Sequence, residues 1–156
     1  MIKFEKLFIT FTLFIFLFSC GYTPIFSKKD VNFSIENIQS LGDRDVKKLI
    51  NNALFSYKDK LNKEIKVSLI LQNSKNTIVA SRNSKGEALV YRVTILVKAR
   101  VILSEGNSIE KTFEKSGTYY SLEQKSKQKS AERKLVEDIS SQIADKIILL
   151  LMEIVK

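Results

Sequence analysis

The sequence predicts an α+β fold, a two-layer sandwich with elements in the order β-α-β-β-β-α. Three stretches carry that expectation. Leu89, Tyr91, Val93, Ile95, Val97, Ala99, Val101 and Leu103 are apolar at every second position, the period of a long strand with one buried face. Val46, Leu49, Ile50, Ala53, Leu54, Tyr57 and Leu61 recur at three- and four-residue steps, the period of an amphipathic helix. Leu135, Ile139, Ile143, Ile147, Leu150, Leu151 and Ile154, with Ala131 before them, draw one stripe along a segment free of Gly and Pro. That stripe predicts a second helix of roughly 30 residues. An antiparallel sheet with one polar face leaves its apolar face for the helices to cover.

Composition narrows the chemistry. The chain has 156 residues and 26 Lys+Arg against 17 Asp+Glu, a formal charge of +9, with no His, no Trp and a single Cys. One core-forming domain is expected at this length. His-based triads, Cys/His metal centres and disulfide frameworks are excluded. No paired-carboxylate motif stands in their place, so the expectation is a binding protein, not an enzyme, without metal or cofactor.

The N-terminus reads as an address. Residues 1–6 carry two Lys and one Glu, and Leu7 to Phe18 is apolar but for Thr10 and Thr12. This run is far shorter than the ~20 residues that span a bilayer, and it fits a signal-peptide core. Leu17-Phe18-Ser19-Cys20 follows. Leu three residues before the Cys, and a small residue just before it, resemble a lipobox. The expected division is a signal peptide over 1–19, a tether over 20–30 beginning at a lipidated Cys20, and an α+β domain over 31–156. Two or three acyl chains hold a protein to a membrane where one would not. Gly21 is not the Asp that retains lipoproteins in the inner membrane, so the outer membrane is expected.

The elements follow in order. The tether GYTPIFSKKD holds the only Pro and should be extended. Val31, Phe33 and Ile35 alternate with polar residues, predicting a short first strand that faces them inward. Asp43 suits a helix N-cap and Asp45 a first turn, where the dipole favours acid; the helix then runs through Val46–Leu61. Ile65, Val67, Leu69 and Leu71 restore the two-residue period in a second strand that can continue to Ser81. Arg82–Gly86 is a turn in which Gly86 is free to take positive φ, and the long third strand follows.

Ser104–Ser108 reads as a five-residue hairpin loop. Pairing Leu103 with Ile109 sets Phe113 opposite Ala99 and Lys98 opposite Glu114. It also places Lys111 and Lys115 on the apolar face, which requires either a bulge or an edge strand from which Lys can snorkel. Ser121 and Gln124 have capping-box spacing before the last helix. Tyr119 and Tyr120 either form part of an aromatic patch beside the basic end or split, the commoner outcome for such a pair, with one ring in the core and one at the surface.

The cations are unevenly placed. Arg82, Lys85 and Arg92 fall where the long hairpin turns, and Lys125 and Lys129 fall at the start of the last helix. Antiparallel pairing brings both groups to one end. Cations in a first helical turn oppose the dipole, so these five residues are candidate contacts for an anionic lipid. A solvated Lys-rich surface is the alternative. Nucleic acid is not expected as a partner of a membrane-anchored protein outside the cytoplasm.

Cys20-Gly21-Tyr22-Thr23-Pro24-Ile25-Phe26 resembles the C-G-[FY]-x-P-[LI]-[FY] start of the LPS-assembly lipoproteins of the LptE family. The order of elements is similar as well, and Glu132 with the Ile139/Ile143/Ile147 stripe looks like the family's final helix. The resemblance implies two helices on a four-stranded, mostly antiparallel sheet. It also implies a non-enzymatic outer-membrane lipoprotein that sits inside an LptD-type β-barrel, on the periplasmic side, and contacts lipopolysaccharide. Only Cys20 transfers from it residue by residue. The alternative is another outer-membrane interaction lipoprotein, a subunit of a barrel-insertion or lipid-transport machine.

Overall fold

Two periods in one chain produce two layers. The computed structural model describes residues 31–155 apart from residues 62 and 105; the signal peptide, Cys20 and the tether expected from sequence lie outside them. Four strands, β1 (Phe33–Gly42), β2 (Ile65–Arg82), β3 (Ala88–Leu103) and β4 (Ser108–Tyr120), form one sheet in the order β1-β2-β3-β4. The helices are α1 (Arg44–Phe55) and α2 (Lys125–Ile154). β1 and β2 run parallel and the other two pairs antiparallel. Parallel neighbours need a crossover, and α1 supplies it. The expected α+β sandwich, β-α-β-β-β-α, is the fold observed.

The core lies between the sheet and the helices. Val93, Ile95, Val97, Ala99 and Val101 of β3 are buried against Val67, Leu69 and Leu71 of β2 and against Ile139, Ile143, Ile147 and Leu151 of α2. Val46, Ile50 and Leu54 carry the buried face of α1. Asp43 caps that helix, its Oδ1 accepting from the amides of Asp45 (3.0 Å) and Val46 (3.1 Å).

β1 is twice as long as the alternating run that announces it. Phe33 and Ile35 face the core as expected, but a bulge interrupts the register between Ile35 and Asn37. A bulge shifts the parity of the strand, so the inward residues beyond it are Ile38 and Ser40, opposite Leu69 and Leu71. A single alternation cannot run through that change.

α1 stops short of Leu61. After Phe55 the chain turns back along the free edge of β1: the Ile35 amide donates to the Tyr57 carbonyl (2.9 Å), and the Asp59 amide donates to the Ile35 carbonyl (3.0 Å). Tyr57 stacks on Phe33 with ring centroids 5.9 Å apart. Its place in the stripe reflects burial beneath the helix end, whereas Leu61 is 88 % exposed.

The β3–β4 register is two residues away from the expected one. Val101 pairs with Ile109, Phe113 with Val97 and Arg100 with Glu110. The Leu103 amide bonds the Asn107 carbonyl (2.9 Å), leaving a three-residue loop that ends in Gly106 at φ 84°. A loop of this length needs a left-handed third residue, which Gly supplies. The shift keeps every side chain on its expected face. It replaces Lys98–Glu114 by a charged pair at 2.8 Å, Arg100 Nη2 to Glu110 Oε2. Of the two accounts of Lys111 and Lys115, the edge strand is the one observed. β4 is unbulged and outermost, Lys111 is exposed, and Lys115 Nζ reaches Gln142 Oε1 on α2.

The expected capping box at Ser121 does not form. α2 begins at Lys125, and its N-cap Gln124 makes no side-chain cap bond. Ser121 is engaged elsewhere, its amide donating to the Leu89 carbonyl (2.8 Å) and extending the sheet ladder by one bond.

Candidate functional site

The β2–β3 hairpin outruns β1. β1 pairs with β2 only as far as Asn73, whereas β2 and β3 remain paired to Arg82 and Ala88. The tip is built from its own polar groups. Asn83 Oδ1 accepts from the amides of Lys85 (3.0 Å) and Glu87 (2.9 Å), and Arg82 Nη1 donates to the Gly86 carbonyl (2.7 Å). Gly86 takes φ 81°. Lys85 is exposed at the tip.

The five candidate cations do not share one face: Arg82, Lys85 and Arg92 belong to the β2–β3 hairpin and Lys125 and Lys129 to α2. Arg92 lies between Ile78 and Thr118 in the sheet, on the side opposite buried Val93, which the helices leave open. Lys125 opens α2 and belongs to the helix layer. Lys129 lines a cleft of about 400 Å³ between the helices, with Lys48, Lys75 and Arg133 against Asp45 and Glu132. Lys75 is held there, 3.9 Å from Asp43 and 4.0 Å from Glu132. An odd position in β2 turns it toward the helices; a Lys on an apolar-face position is the sequence signal that marks it.

Tyr119 anchors the base of this end. It is 8 % exposed and stacks on Tyr91, with centroids 5.2 Å apart, while its neighbour Tyr120 is 75 % exposed. Burial first, and then the charge of Glu132, raise the Tyr119 pKa above its usual value. The phenol therefore stays protonated at neutral pH. Glu132 of α2 faces both Tyr119 on β4 and Lys75 on β2.

Apolar side chains are exposed in this region as well. Ile78, Leu89, Tyr120 and Leu122 are all exposed. Val90 pairs with Tyr120 beside the Ile78–Arg92–Thr118 row, so ring, aliphatic chain and guanidinium lie on the same open face. Except for Tyr120, sequence patterning assigned these residues no surface role, because alternation at a strand end looks the same whether or not helices reach it.

A family model described as LptE, lipopolysaccharide-assembly, matches residues 31–151. The chain belongs to the LptE family. It is thereby an LPS-assembly lipoprotein, of a family that is not enzymatic. Among curated proteins none matches it. The fold is similar to rare lipoprotein B from Shewanella oneidensis, with a TM-score of 0.54 at 19 % identity over 74 % of this chain and 93 % of that one. It is also similar to an uncharacterized lipoprotein B from Nitrosomonas europaea, with a TM-score of 0.55 at 11 % identity over 80 % and 88 %. At such identities the likeness is one of fold alone. No helix among the described residues is long and apolar enough to cross a membrane.

Proposed function

We propose that this chain is an outer-membrane lipoprotein, acylated at Cys20, that partners an LptD-type β-barrel and contacts lipopolysaccharide with the β2–β3 hairpin end. The observation that carries the lipid contact is the mixed character of that end. Arg92 shares the open sheet face with exposed Ile78 and Tyr120, Arg82, Lys85 and exposed Leu89 belong to the same hairpin end, and exposed Leu122 and Lys125 lie where β4 leads into α2. An anionic amphiphile requires both halves of such a surface: cations for its phosphates and apolar area for its chains. Lys129 adds a cation at the rim of the helix cleft. Family membership supports the barrel partner, and the single Cys at the end of the apolar leader supports the anchor.

Mild-detergent purification from the native membrane tests the partnership. A large β-barrel of the LptD type is expected to co-purify, and mass spectrometry should find Cys20 acylated. Recovery of the acylated chain with no barrel, or with a different machine, removes the LptD reading; an unmodified Cys20 thiol removes the anchor.

A further inference from the structure

We propose that the opposite end of the fold, where Val31 leads in from the tether, rests on a phospholipid surface through Phe55 and Leu61. The inference rests on the anchoring of Cys20 proposed above. Phe55 closes α1 and is 70 % exposed, and Leu61, in the α1–β2 connection, is 88 % exposed. Neither serves the core, which Val46, Ile50 and Leu54 reach from the same helix. Their support is nevertheless firm. The Lys60 amide donates to buried Ser34 Oγ (2.8 Å), and Tyr57 and Asp59 bond both polar groups of the Ile35 backbone. Two large apolar side chains, one closing α1 and one in the connection clamped to β1, thus stand exposed at the same end.

Chain length identifies what lies within reach. Eleven residues, 20–30, separate the anchor from Val31, and at full extension they span no more than ~40 Å. β2 begins at Ile65 beside Phe33 and carries the hairpin tip roughly 55 Å away. The Phe55 and Leu61 end is therefore the one within the tether's reach, whereas the hairpin tip lies farther from Val31 than the tether can extend. The charges around the patch are nearly balanced: Lys58 pairs with Asp59 (3.2 Å) and Lys66 with Glu36 (3.1 Å). The contact is apolar insertion at the interface, not attraction to anionic headgroups, and neutral phospholipid should suffice.

The absence of Trp from the chain makes a direct test available. The full acylated chain carrying Leu61→Trp, Phe55→Trp or, at the hairpin tip, Ser84→Trp is reconstituted with vesicles of neutral phospholipid brominated on the acyl chains. The first two are expected to show blue-shifted emission quenched about twofold or more, unchanged by salt, and the third to remain unquenched. A chain that floats with the vesicles but leaves Leu61→Trp unquenched overturns the docking and spares the anchor. A chain that does not float removes the anchor and the docking with it. Quenching at all three sites contradicts the orientation. A blue shift without vesicles that grows with protein concentration assigns the patch to a second copy instead.

Discussion

Gly42 shows how tightly single residues are specified. It ends β1 at φ 117°, and a Cβ there would lie 1.9 Å from the Asn73 carbonyl oxygen. Gly42→Ala combines a left-handed backbone with a backbone clash and should lose about 3 kcal/mol, read as a lower urea midpoint at unchanged slope. Ser140 presents the reverse case. Its hydroxyl is buried in α2 and has no hydrogen-bond partner in the structure. Ser140→Ala removes an unsatisfied group and should raise stability by about 1 kcal/mol, visible as an increase in Tm. Both were poorly legible from sequence. A Gly before an Asp reads as a generic break, and a Ser within an apolar stripe reads as an interruption of it. The Tyr119/Tyr120 split, by contrast, followed from strand alternation alone.

At the level of elements, periodicity identified every strand and helix, and failed where a local bond changed the period or the register. Asp43 was readable because an N-cap acts within three residues. Asp43→Ala should cost α1 about 1 kcal/mol, measurable by chemical denaturation. The bulge after Ile35 leaves no comparable mark, because it reverses parity and makes the rest of β1 resemble a loop. The β3–β4 hairpin misled for a different reason. Registers two residues apart keep the same faces, so hydrophobic pattern cannot separate them, and loop geometry at Gly106 decides. The capping-box spacing at Ser121 and Gln124 was a true pattern without the structure, because the Ser121 amide is used by the sheet.

Across the whole molecule, the two ends differ in chemistry. The hairpin end combines Arg82, Lys85, Arg92 and Lys125 with exposed apolar residues; the tether end exposes Phe55 and Leu61 among paired charges. That Arg82, Lys85 and Arg92 share one hairpin was legible from the sequence. The division of the candidate cations between two faces was not, since it depends on where α2 sits over the sheet. The hairpin end is proposed to hold an anionic amphiphile. The direct measurement is a lipopolysaccharide-binding titration at several salt concentrations, with the native chain and with Arg82→Glu/Lys85→Glu/Arg92→Glu, whose retained fold is checked by circular dichroism. The variant should bind at least about tenfold more weakly at low salt, ~1.4 kcal/mol, with a flatter salt dependence. Equal affinity and an equal salt response would contradict it and return those cations to a solvated surface.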